Sequence, residues 1–258
     1  MTTFQNVCMA TLFFVCGLIS LGEIEAADPE KADGDNQRHG LQFDGRSSYV
    51  SVPNIPFDDW NTITVEAWVK DWTGRVFCQG KQGDPENSIW VSIRAKRHSS
   101  GWESLNGTNS SFSVMPNSLD GWDHVALVYD GQKQIFFLNG KIIHQVAATK
   151  PGPFNNERKL IIGAQEKWED TQTKPAGLFG KGTMRLFRIS HVPRYTKEFD
   201  PAETFKSDDD TVVLFDFSKS NDKTKLFDHS KNKQHGTIHD AKWVILKDED
   251  KIHPNQPK

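Results

Sequence analysis

From residue 39 onward, apolar and polar residues alternate in short runs separated by Gly, Asn, Asp or Pro. That is the pattern of strands with one face buried. Runs of this kind fall at residues 41–43, 49–52, 63–69, 76–78, 89–93, 112–115, 125–129, 135–138, 142–146, 160–162, 184–189 and 212–217. A weaker one covers 236–244. Asp130-Gly131 and Asn139-Gly140 predict tight hairpins, because such dipeptides tolerate positive φ at both turn positions. No stretch repeats every 3.6 residues over three turns, and the best helical candidate is a turn or two at 197–205. A dozen strands without helices between them exclude a wound α/β fold and predict an all-β sandwich or jelly roll.

Period two also sorts side chains by face. In the run 63–70, Ile63, Val65, Ala67 and Val69 point one way, and Thr64, Glu66, Trp68 and Lys70 the other. In 89–94, Ile89, Val91 and Ile93 oppose Trp90, Ser92 and Arg94. Glu66, Trp68, Trp90 and Arg94 are therefore expected on the side away from the core. An indole beside charged groups suits a sugar, whose C–H face stacks on the ring while the charges take hydroxyls. The competing expectation is that Glu66 and Arg94 pair across strands, with the indoles roofed by a loop. Trp72, Trp102 and Trp168 lie outside clear alternation and are further candidate platforms for a sugar ring, whereas Trp60 and Trp122 stand at strand starts and are expected to pack.

The amino-terminal residues have a different character. Residues 7–21 are uncharged and apolar, followed by Glu23, Glu25, Ala26 and Ala27. This reads as the apolar core and small-residue exit of a secretory signal peptide, residues 1–26. Fifteen mixed residues fall short of the roughly 20 that a membrane-spanning helix needs. The mature chain is thus expected to be secreted, periplasmic or on the cell surface, with no membrane span. Residues 27–38 read as a polar flexible leader and 247–258 as a polar tail. Removing the leader peptide takes Cys8 and Cys16 and leaves Cys78, so no internal disulfide is expected.

Composition narrows the function classes. Thirty-one Lys and Arg against 34 Asp and Glu give a net charge of −3, too balanced for a nucleic-acid backbone partner. Eight Trp and 17 Phe supply a generous aromatic core.

Three groups of motifs carry a family resemblance. They are His39-Gly-Leu-Gln-Phe-Asp-Gly45 with Thr64-Val-Glu-Ala-Trp-Val-Lys70; Gly121-Trp-Asp-His-Val-Ala126 with Leu138-Asn-Gly-Lys141; and Phe187-Arg-Ile-Ser190 with Phe199-Asp-Pro201. In order and spacing they resemble laminin-G-like jelly rolls of exported bacterial proteins, within the concanavalin A-like lectin/glucanase fold. The resemblance implies two antiparallel sheets in one domain over 39–246, with the segment 207–246 packing on it. It departs at Met184-Arg185-Leu186, where the family usually has an acidic Ile-Asp-Glu type sequence.

This fold hosts both lectins and hydrolases, so activity must be read from residues. None of these strand runs carries the Glu-x-Asp-x-x-Glu pattern that places nucleophile and acid on one strand face; its one occurrence, Glu198-Phe-Asp-Pro-Ala-Glu203, falls outside them and is interrupted by Pro201. Asp44, Asp130 and Asp216 lie at turns and could supply oxygens to one structural Ca²⁺, though Asp at a turn is ordinary turn chemistry. The sequence therefore points to an exported, non-catalytic recognition module. Its expected partner is a polysaccharide or glycoprotein surface, or another protein. The alternatives are a divergent polysaccharide hydrolase using Glu66 and a structural accessory domain without a small ligand.

Overall fold

A computed structural model describes residues 38–80, 88–93, 98–103, 109–114, 121–152, 158–166, 175–219 and 222–247. Residues 1–26, 27–37 and 248–258, which include the expected signal peptide and most of the leader and tail, lie outside them. Among the described residues no helix is long and apolar enough to cross a membrane.

The strands in chain order are β1 (His39–Asp44), β2 (Tyr49–Val52), β3 (Ile63–Gly80), β4 (Ser88–Ile93), β5 (His98–Glu103) and β6 (Asn109–Val114). Next come β7 (Trp122–Tyr129), β8 (Lys133–Leu138), β9 (Lys141–Ala147), β10 (Leu160–Ile162), β11 (Gln165–Glu166) and β12 (Pro175–Gly177). The last are β13 (Lys181–Ser190), β14 (Thr211–Asp216), β15 (Lys225–Leu226), β16 (Gly236–His239) and β17 (Lys242–Ile245).

All pairings are antiparallel, and they form the jelly-roll sandwich. The first sheet runs β17-β1-β13-β3-β7-β8-β9, with β14 beside the carboxyl-terminal half of β13. The second runs β15-β16-β2-β10-β3-β4-β5-β6. β11 and β12 pair separately. β3 belongs to both layers. Its first half pairs with β13 and β7, and from Gly74 it pairs with β4 and then β10. The expected strands at 63–69 and 76–78 are thus one. The chain bends between them, where Asp71 and Gly74 have φ of 50° and 99°. A Cβ at residue 74 would overlap the Phe179 carbonyl, so this crossing requires glycine.

Alternation holds where the sheets meet. Val65, Ala67 and Val69 of β3, Val125 and Leu127 of β7, and Phe187 and Ile189 of β13 face the interior. They form one cluster with Val50, Val52, Ile89, Val91, Leu160 and Ile162 of the second sheet. β-branched and aromatic residues suit such a pleated, half-buried surface.

Three local expectations change. Asn139 and Gly140 both have positive φ, 49° and 73°, and make the two-residue turn, whereas 130–132 form a longer loop in which Gly131 alone has positive φ. There, Asp130 Oδ1 accepts the amides of Gln132 and Lys133. Residues 236–244 divide into β16 and β17, in different sheets, around Asp240 with φ 54°. Residues 197–205 form no helix. Pro201 lacks a backbone donor, and two of the segment's backbone groups bond outside it: Phe199 N donates to Gly140 O at 3.0 Å, and Ala202 O accepts from Trp68.

Candidate functional site

The outer face of the first sheet carries the acid that the sequence singles out. Glu66 on β3 lies opposite Ala126 of β7 and Arg188 of β13, with Trp68 and His124 paired one step along. A covering segment, residues 191–206, crosses above them. Tyr195 and Phe199 from it stack face to face, centroids 3.5 Å apart, over Phe137. Phe205 packs with Trp68, Leu186 and Leu214.

Under this cover Glu66 is surrounded by donors. Arg188 reaches Oε1 through Nε at 2.8 Å and Nη2 at 2.5 Å. His124 Nε2 and the Tyr195 hydroxyl each lie 2.9 Å from Oε2. Burial alone would raise the carboxyl's pKa; the His124 hydrogen bond and the Arg188 charge outweigh it and hold Glu66 below the usual carboxylate range. Burial first, and then the Glu66 charge, push the Tyr195 phenol far above its ordinary value, so it stays a neutral donor. The Arg188 guanidinium also lies 4.6 Å from the Phe205 ring centroid. At one end Arg194 holds Asp208 with Nη1 at 2.8 Å and Nη2 at 2.6 Å, keeping that acid well below its usual range. At the other, Asn139 accepts from His124 N at 2.8 Å and donates to Asp123.

An ionised carboxylate with both oxygens engaged and 1% of its surface exposed has no proton to give and no lone pair facing a substrate. The hydrolase expectation built on Glu66 is corrected on that ground: the acid clasps the cover to the sheet.

The expected sugar platform does not form as one exposed face. Trp68 points away from the core as alternation predicts, yet it is fully buried, with Nε1 donating to Ala202 O at 2.9 Å. Trp90 is also buried and sits on β4 of the other sheet, 5.7 Å from the Arg75 guanidinium, which donates in turn to Gln165. Trp72 is a core residue packed edge-on against Phe43. The backbone of Trp102 lies on β5, opposite Ile89 and Ser110. Arg94 and Trp168 lie outside the described residues.

Nor do the three turn acids meet. Asp44 Oδ1 accepts the amides of Arg46, Ser47 and Ser48 and the Ser48 hydroxyl, and Asp130 caps its own loop. Asp216 takes Ser218 on Oδ1 and Lys219 on Oδ2. Among the described residues no three His, Cys, Asp or Glu side chains come together as a metal site. Cys78 is buried, with Sγ 3.2 Å from Gly80 O.

Arg188 and Tyr195 stand in the family-like motifs Phe187-Arg-Ile-Ser190 and Arg194-Tyr-Thr196, but the sequence reading gives neither a role at a site. Arg188 had a signal: it interrupts the apolar run 184–189 at an outward position, and a charge so placed needs a partner. Glu66 in 63–69 is its counterpart. Tyr195, in an irregular segment, has no periodicity to say which way it faces.

Residues 44–196 match a laminin-G family model described as the concanavalin A-like lectin/glucanases superfamily. Among solved structures, the fold is similar to that of a Bacteroides ovatus ATCC 8483 protein proposed to bind carbohydrate, at 15% identity and a TM-score of 0.53, covering 82% of this chain and 60% of that one. It is also similar to the heptameric SAP-like pentraxin of Limulus polyphemus (17%, TM-score 0.43, 63% and 80%) and to domains LG4-5 of the mouse laminin alpha1 chain (17%, 0.45, 67% and 47%). The chain thus spans about 60% of the length of the first of these. No curated protein matches the chain in sequence.

Proposed function

The chain belongs to the concanavalin A-like lectin/glucanases superfamily, and from that premise we propose that it is an exported, non-catalytic recognition module for polysaccharide or glycoprotein glycans. The state of Glu66 carries this reading. This strand acid is buried and spent on Arg188, His124 and Tyr195, and the Glu-x-Asp-x-x-Glu stretch at 198–203 lies on no strand, in the covering segment, with Glu198 accepting from Lys141. The likeness in fold to the Bacteroides ovatus protein agrees with a binding role. Trp102, Trp168 and Arg94 remain the residues proposed for sugar contact, and residues 1–26 the proposed export signal.

The test is a panel of immobilised polysaccharides, scored for retention of the purified protein and for release of reducing ends. Retention without release is expected. Release that disappears in a Glu66→Gln variant would replace this reading with a hydrolase.

A further inference from the structure

β13 changes partners midway along one edge. Met184 pairs with Leu41 of β1, whereas Leu186 pairs with Asp216 of β14. On the opposite edge the register against β3 shifts between the same two residues. Arg185 sits at that bulge, between the end of one neighbouring strand and the start of another. Bulges of this kind re-aim a side chain.

The guanidinium so placed is unusual. Arg185 leaves 6% of its surface exposed, and its buried Nε meets no acceptor. Among the described residues neither terminal nitrogen hydrogen-bonds to the protein, and no acid lies within ion-pair distance. Asp216 and Glu203 are close enough to favour its charge, but Asp216 is occupied by Ser218 and Lys219. Arg38, just before β1, adds a second positive charge close enough to disfavour the first. Buried charges in proteins are almost always paired, because an unpaired one forfeits its hydration for nothing. A planar guanidinium with free donors matches the paired oxygens of a carboxylate or a sulfate.

We propose that Arg185 is a subsite for the carboxylate or sulfate ester of an acidic polysaccharide. The inference rests on the glycan-binding reading and narrows its ligand class. A neutral glycan leaves this guanidinium unpaired, so the site discriminates by charge.

The experiment compares wild type, Arg185→Met and Arg185→Lys on immobilised polygalacturonate, dextran sulfate and neutral dextran. Thermal melts with and without sodium sulfate accompany it, against sodium chloride at equal ionic strength. Arg185→Met retains the stem's apolar packing and removes the orphaned charge, so it should melt at or above the wild-type temperature without ligand. Wild type should be retained on at least one acidic matrix, with retention about tenfold weaker in Arg185→Met and partly kept in Arg185→Lys. The two acidic matrices distinguish carboxylate from sulfate. Equal retention of wild type and Arg185→Met on the acidic matrices overturns the subsite. Retention of wild type on neutral dextran alone also overturns it, and leaves the glycan-binding reading standing. Sulfate-specific stabilisation that vanishes in Arg185→Met, without retention on any matrix, keeps the anion site and overturns the glycan reading instead.

Discussion

Arg188 and Glu66 meet across neighbouring strands, 122 residues apart in sequence, with Nε and Nη2 both on one carboxylate oxygen. Such a pair adds little net stability over two apolar residues, but removing one member leaves a buried charge uncompensated. Arg188→Met is therefore expected to cost about 3–5 kcal/mol in urea unfolding. The Arg188→Met/Glu66→Met double variant should lose less than the sum of the single losses. Additive losses would mean that the two residues act separately.

Stability should fall in two steps as the solution is acidified. Burial depresses the pKa of His229 and His239, so the unfolded chain takes protons first as pH drops through about 6.5, and stability declines there. Glu66, Asp44 and Asp208 are also depressed in the folded state, so their contribution is full above the usual carboxylate range and lost as pH falls below about 4.5. Urea midpoints from pH 8 to pH 3 should show both declines, and His229→Gln should shrink the first. A midpoint that rises on acidification would contradict the assignments.

Gly140 is tied to the covering segment by sterics as well as by hydrogen bonding. Its φ is +73°, and a Cβ there would overlap the Phe199 carbonyl. Gly140→Ala should cost about 2 kcal/mol or more and raise acrylamide quenching of the tryptophans as the cover over Trp68 lifts. Gly131→Ala provides the comparison: its φ is also positive, but its nearest neighbours are 3.7 Å away or more, and the loss should be smaller.

Chelation should leave the melting temperature unchanged. Asp44 spends its oxygens on three backbone amides and on the hydroxyls of Ser47 and Ser48, so Asp44→Ala should destabilise equally with and without EDTA. A melting temperature that drops with EDTA in wild type, and not in Asp44→Ala, would instead assign a bound cation to this turn.

Much of the fold was legible because alternation is a local signal. The parity that sends Val65, Ala67 and Val69 inward and Glu66 and Trp68 outward is that of the structure. What covers the outward set was not legible. Residues 191–206 have no period, and their role depends on contacts such as Tyr195 with Glu66, 129 residues apart. Period two likewise cannot say which layer a strand joins. Trp68 and Trp90 have the same parity, yet β3 crosses between layers before it pairs with β4, so they end on different sheets. That one crossing separated residues expected to share a face.

The pairing of β1 with β17 has a mechanical meaning. His39 lies opposite Ile245, and Leu246 N donates to Arg38 O at 2.7 Å, so the chain enters and leaves the domain at one point. Tension applied through the flanking segments would act across this antiparallel pair at its open end, peeling the ladder one bond at a time rather than shearing many at once. Under load, β17 would detach first, while the Glu66 clasp two strands inward from β1 would not yet feel the pull.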